Sequence, residues 1–257
     1  MRTLKLTLAY DGTGYAGWQR QAGAETIQAL VERALQPLEG CAVAVHGAGR
    51  TDAGVHALGQ VASVRLTHPI DTDALLRALN ANLPPAVRVL CVEEADDRFH
   101  ARFDARGKVY RYRLATGSVA HPLDLRYAWH LPQPVDLDAL QAAGALLEGR
   151  HDFASFQAAG GTATANTVRT ISRLRIALER PPDWRPASGG GEIIGIELRG
   201  DGFLRHMVRA IVGTLVEVGQ GRREAGSVAD ALAARRRASA GPTAPARGLF
   251  LVRVDYH

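Results

Sequence analysis

Cysteine is scarce in this 257-residue chain: Cys41 and Cys91 are the only two. They stand far apart in apolar surroundings, which excludes a disulfide framework and a cysteine-rich zinc knuckle and points to a reducing cytoplasm. Lysine is equally scarce, with Lys5 and Lys108 alone. Long apolar runs are missing too. Charge interrupts them within about a dozen residues, short of the ~20 that span a bilayer, so no membrane association is expected. The opening "MRTLKLTLAYDG" has no small-residue cleavage site and reads as a first strand rather than a signal peptide. His46, His56 and His206 lack metal-ligand spacing.

What is present is ordinary for a folded chain: 46% apolar residues and 22% charged ones. The length suits one large domain or two modest ones. The net charge of +5 is carried almost wholly by arginine. Arginine's planar fork suits phosphate and so a polyanionic partner. A GC-rich genome gives the same excess, so charge alone decides nothing.

Periodicity predicts strands over 3–10, 41–46, 60–66 and 87–92, and helices over 26–38 and 72–83, the latter stopped by Pro84-Pro85. The order is β-α-β-β-α-β. It recurs with the tyrosine strand "KVYRYRL", a helix over 136–148 capped by Asp136, strands "TISRLRIAL" and "EIIGIELR", a long helix "GFLRHMVRAIVGTLVEVG", a short one over 227–237, and a closing strand "GLFLVRVDY". The Pro/Gly-rich "ERPPDWRPASGGG" between the two strands reads as a mobile loop. The expected class is α+β: two fused ferredoxin-like halves, residues 1–104 and 105–257, with mainly antiparallel sheets and a central active-site cleft.

Several motifs fail on context. "GTGYAG" at 12–17 matches a dinucleotide loop, but "WQRQAGAE" opens no helix behind it. In "LAYDGTG", Ala9 stands where an aspartyl phosphotransferase needs its nucleophile. Gly49 and Gly54 have P-loop spacing, yet Val55-His56 replace Lys-Ser/Thr. What is left in "GAGRTDAGVHALGQ" is one carboxylate, Asp52, among glycines that bend the chain sharply between adjacent strands. Taken alone it reads first as a turn residue that hydrogen-bonds its own backbone. On the long helix, Arg205 and Arg209 are expected one turn apart, a like-charge pair that an anion would relieve. "KVYRYR" interleaves aromatics and cations, as a surface that stacks a base and holds a backbone does.

Taken together, "YDGTGYAGWQRQ", "GRTDAGVHALGQ", "FHARFDARGKVYRYRL", "GRHDFASF" with "TVRTI", "GDGFLRHMVRAIVGTLVEVG" and "AGPTAPARGLFLVRVDY" resemble the tRNA pseudouridine 38–40 synthase family, in that family's order from residue 10 to residue 256. The resemblance implies isomerisation of uridine in the anticodon stem-loop of tRNA, a homodimer of two-domain subunits, and no cofactor or metal. It implies that Asp52 is the catalytic carboxylate and that Arg50 helps extrude the target nucleotide. It further implies that Tyr110 stacks on the uracil, Arg205 partners the carboxylate, and Leu249 packs on the base.

The chemistry breaks N1–C1′, turns the uracil and rejoins it through C5. Asp52 can attack C1′, take a sugar proton to give a glycal, or add to C6 of the base; the residues do not choose. A stacked base must first be extruded. Two other classes remain: a non-catalytic tRNA- or RNA-binding protein, and an Asp-dependent nucleotide or glycoside hydrolase. The hydrolase needs a second carboxylate about 5 Å away. Asp104 and Asp201 are the nearest possibilities, read here as a turn residue and a helix cap. Trp18, Gln19 and His56 fall inside matching motifs, with His56 expected to support the loop.

Overall fold

The computed structural model describes residues 1–158, 166–180 and 191–256. In chain order its elements are β1 (Arg2–Tyr10), α1 (Ile27–Glu39), β2 (His46–Gly47), β3 (His56–Leu66), α2 (Thr72–Asn82) and β4 (Val87–Ala95). Then come β5 (Gly107–Thr116), α3 (Pro122–Leu125), β6 (Trp129–Leu131), α4 (Leu137–Ala145), β7 (Gly149–Asp152), β8 (Val168–Leu178), β9 (Ile193–Gly200), α5 (Met207–Gly219), α6 (Ser227–Ala234) and β10 (Leu249–Asp255). They divide into two units, Met1–Lys108 with the stretch from Phe250 onward, and Val109–Leu249.

In the first unit the strands order β4-β1-β3-β10, with β2 also on β3. β1 pairs antiparallel with β3 and β4, while β10 joins β3 in parallel at Phe250 and Leu251. Alternation along β1 sends Leu4, Leu6 and Leu8 into the core at 0% exposure. Helical spacing puts Ile27, Val31 and Leu35 of α1 and Leu75 and Leu79 of α2 inside as well. Thr26 and Asp71 cap these helices by accepting from the Ala29 and Ala74 amides.

The expected strand over 41–46 shrinks to His46–Gly47. Gly40 ends α1 in the left-handed conformation. Side chains of α1 then take the Val45 backbone: Gln28 donates to its carbonyl (3.0 Å) and Glu32 accepts from its amide (3.3 Å). Those groups are lost to a β ladder.

In the second unit β9 lies between β5 and β8, β7 extends β8, and β6 runs parallel to β5. The β7–β8 and β8–β9 pairs are antiparallel, so the sheets are mainly antiparallel as expected. Setting aside α3, β6, β7 and α6, the order β-α-β-β-α-β recurs along the chain, although nearly all of its closing strand, β10, belongs to the first unit. Asp136 caps α4, accepting from the Ala139 amide. Most of the 179–191 stretch lies outside the described residues.

The long helix departs from expectation. α5 starts at Met207 rather than near 202, because His206 sits at φ 60, a left-handed residue that stops a helix from running through it. Arg205 therefore lies on the loop before α5 and shares no helix face with Arg209. Asp201 is not the helix cap either. Its carboxylate accepts from the Thr170 amide at 3.0 Å, pinning the β9 end to β8.

Candidate active site

The loop between β2 and β3 carries Arg50 and Asp52. It closes as a four-residue turn in which the Val55 amide donates to the Asp52 carbonyl at 3.1 Å. Its third residue, Gly54, has φ 75, the glycine conformation that a type II turn requires. A second loop, between β1 and α1, grips this turn from the side. The Trp18 amide donates to the Thr51 carbonyl at 3.0 Å, and the Gly54 amide donates to the Tyr15 carbonyl at 3.2 Å.

That grip explains the glycines of "GTGYAG". A Cβ on Gly12 would fall 2.0 Å from the Val55 carbonyl oxygen, and one on Gly17 would fall 2.5 Å from the Thr51 oxygen. The glycines let two backbones touch. Beneath them the Trp18 indole, 2% exposed, lies against Gly47.

Buried polar groups finish the clamp. The Tyr10 hydroxyl and Thr51 Oγ1 lie 2.9 Å apart, and Gln60 Nε2 donates to the Gly49 carbonyl at 2.9 Å. Burial pushes the Tyr10 hydroxyl up to about 12, against its bonds to Thr51 and Gln60, so it stays a neutral donor. Thr51 is buried while Asp52 beside it is half-buried. The turn thus fixes the Asp52 backbone. Arg50 is exposed, and its Nε donates to Gln19 Oε1 at 3.1 Å.

His56 behaves as the support expected of it. Its ring is 1% exposed and stacks on Phe250 at 4.8 Å. Both the Gly12 amide and Asp11 Oδ1 lie 3.1 Å from its Nδ1. The amide donates when that nitrogen is bare, and the carboxylate accepts when it is protonated. Asp104 is a turn residue as read: its Oδ2 accepts from the His100 amide at 2.7 Å.

The second unit holds Tyr110, Arg205 and Leu249. Tyr110 on β5 is 7% exposed and meets Phe203 edge-on, centroids 5.1 Å apart. Arg205 is exposed, and its carbonyl accepts from the Ala158 amide at 3.1 Å. Leu249, 5% exposed, opens β10 at the end of a segment latched to α5 and β5. In that latch Arg209 Nε donates to the Ala244 carbonyl at 2.7 Å, and the Ala244 amide returns a bond to the Arg209 carbonyl at 3.0 Å. The Tyr112 hydroxyl donates to the Pro245 carbonyl at 2.7 Å. Burial holds that hydroxyl's pKa well above the usual range, opposed by the nearby charges of Arg209 and Arg247, so it remains a donor. The alternation in "KVYRYR" signals a buried tyrosine face; it carries no sign that one of its tyrosines is a latch.

Tyr112→Phe should remove that one bond and cost about 1 kcal/mol. Thermal unfolding is expected a few degrees earlier, and hydrogen exchange should quicken in the peptide covering 240–249. Unchanged exchange there would mean the hydroxyl does not hold the segment.

Among the described residues no three His, Cys, Asp or Glu side chains gather as a metal site, and no helix is long and apolar enough to cross a membrane. A family model described as tRNA pseudouridine synthase matches residues 7–104 and 143–257. Curated relatives match end to end. The tRNA pseudouridine synthase A of Solibacter usitatus is 42% identical over 258 residues, covering all of both chains. That of Moorella thermoacetica is 46% identical over 258 residues, again covering all of both. tRNA pseudouridine synthase A 1 of Desulfotalea psychrophila is 43% identical over 261 residues, with the same coverage. Among solved structures, an H/ACA ribonucleoprotein bound to a substrate RNA matches 83% of this chain at 10% identity and a TM-score of 0.34, and the chain spans 44% of that chain's length.

Proposed function

The chain belongs to the tRNA pseudouridine synthase family of isomerases, and from that premise we propose that it converts uridine to pseudouridine at positions 38, 39 and 40 of the tRNA anticodon stem-loop, with Asp52 as the catalytic carboxylate. The observation that carries the assignment is the clamp. Two glycines, a buried indole and a Tyr–Thr–Gln set hold one turn, and Asp52 is the acidic residue of that turn. Rigid support of a single carboxylate is what a catalytic group needs and what an ordinary surface turn does not.

The reaction balances without a co-reactant. The N1–C1′ bond breaks, C5–C1′ forms, C5 gives up its hydrogen as a proton and N1 gains one. No electron is supplied or removed. Asp52 acts by attack on C1′, by proton removal from the sugar, or by addition to C6. Arg50, on the rim of the same loop, helps extrude the nucleotide and hold its phosphate. Tyr110 stacks on the uracil, Leu249 packs on the base and Arg205 supplies a basic partner to the carboxylate. We take the functional division as 1–104, bearing the Asp loop, and 105–257, bearing the tyrosine strand and Arg205. The enzyme works as a homodimer in the cytoplasm, where its tRNA substrate is. A hydrolase is disfavoured because Asp104 and Asp201 each serve a backbone amide.

Tritium release from unmodified tRNA transcript labelled at uridine C5 tests the reading, since C5 loses its hydrogen only on becoming the glycosidic carbon. Release is expected to plateau at the number of target uridines. Binding without release would favour the non-catalytic reading, and free uracil or cleaved strand would favour the hydrolase.

A further inference from the structure

The first unit carries a row of aromatic rings outside the Asp52 loop. His46, the strand residue that leads into that loop, packs on His100 with ring centroids 5.1 Å apart. His100 packs on Phe103 at 4.3 Å, with the planes 36° apart. Phe103 is 75% exposed, and the Arg102 guanidinium lies 5.8 Å over its ring. The row thus runs from a strand to solvent, ending in an open aromatic face with a cation beside it.

The local backbone fixes this row. The Phe103 and Asp104 amides both donate to the His100 carbonyl at 3.1 Å, and the Arg102 amide donates to His100 Nδ1 at 3.1 Å. A nitrogen that accepts an amide bond carries no proton. Burial and the charge of neighbouring His46 also hold the His100 pKa below its ordinary value. The middle ring is therefore neutral at physiological pH, and the stack is not split by repulsion between imidazolium groups. The turn keeps Phe103 outward although an apolar ring gains by burial.

Beside the row is a cavity of about 430 Å³, walled by Val43, Val64 and Phe99 and bearing Arg65 and Arg98, with His46 and His100 on its edge. The one carboxylate on its wall, Glu39, is already occupied by the amide and hydroxyl of Thr67 and the amide of His68. Arg65 Nη2 donates to the Asp97 carbonyl at 2.7 Å, so Arg98 is the arginine of the lining with which an anion would pair. A flat π face, an apolar recess of nucleotide size and planar cations match a base and its phosphate.

We propose that the His46–His100–Phe103 row and its cavity stack an unpaired nucleotide of the RNA substrate, a second RNA contact that is separate from the target uridine. It rests on the tRNA reading above. Stacking on such a face tolerates any base, so the contact adds affinity and register without adding sequence choice.

Equilibrium titration of the full-length protein with unmodified tRNA transcript, across a salt series, decides it. Phe103→Ala should weaken binding about tenfold, the scale of one stacked base, without changing the salt slope. Phe103→Trp should restore it. Arg98→Ala should lower the salt slope by about one phosphate. Phe103→Ala binding within twofold of wild type would overturn the proposal, as would a change in oligomeric state on gel filtration, which would assign the face to a second copy of the chain. Tritium release by wild type is read in parallel. Release with Phe103-insensitive binding removes the stacking row alone. Phe103-sensitive binding without release keeps the row and removes the isomerase reading.

Discussion

Asp52→Asn is expected to abolish tritium release, by at least about a thousandfold, while tRNA affinity stays within a few-fold. Asparagine has the shape of aspartate but neither its charge nor its nucleophilicity, so all three routes open to Asp52 fail together. A thousandfold corresponds to about 4 kcal/mol of transition-state stabilisation. The fold should suffer little, because backbone groups and the Tyr10–Thr51–Gln60 set hold the turn. The Asp52 carbonyl, not its side chain, receives the Val55 amide, and Tyr10, Thr51 and Gln60 hold the loop from below. Thermal unfolding of the variant should match wild type within a few degrees. Asp104→Ala provides the contrast: it removes the acceptor of the His100 amide, so it costs stability and leaves the isomerisation in place. Near wild-type release from Asp52→Asn would reduce Asp52 to a turn residue and remove the mechanism.

The elements that local chemistry dictates were legible in the sequence. Alternating leucines marked β1, helical spacing marked α1, α2 and α4, and Asp136 marked its own cap. What depended on contacts remote in the chain was not. The stretch before His46 alternates like a strand, yet Gln28 and Glu32 of α1 take the hydrogen bonds of Val45. The apolar run through Leu204 and Met207 reads as unbroken helix, yet His206 turns left-handed between them, moving Arg205 off the face of Arg209. No local signal distinguishes that histidine from any other.

At the candidate site the loop and its carboxylate were visible, since glycines around one acid between strands are a local pattern. Its support was hidden. "GTGYAG" reads as a failed nucleotide motif until Gly12 and Gly17 are seen to face Val55 and Thr51, some forty positions along the chain. The same holds for His56, whose Gly12, Asp11 and Phe250 partners all lie far away in the sequence.

Gly17→Ala should be strongly damaging although it leaves every candidate site side chain in place. At φ 90 an L-residue is strained, which costs about 1 to 2 kcal/mol. Its Cβ would also lie 2.5 Å from the Thr51 oxygen, 2.9 Å from the Asp52 carbonyl carbon and 3.0 Å from the Ala53 nitrogen. All three are backbone atoms, so no side chain can swing aside. The two loops must part, and the Trp18-to-Thr51 bond lies in the same contact. Displacing a reacting group by about 1 Å costs on the order of a hundredfold in rate, so turnover should fall by that factor with Asp52 intact. Gly14→Ala separates the two causes. Gly14 has φ 81, yet a Cβ there meets nothing within 4 Å, so the variant bears the conformational strain without the collision. It should lose about 1 kcal/mol of stability and little activity. Equal turnover in the two variants would mean that the contact between the loops does not position Asp52. A hundredfold gap between them would mean that catalysis depends on how closely two backbones approach, and that Gly17 is present to permit it.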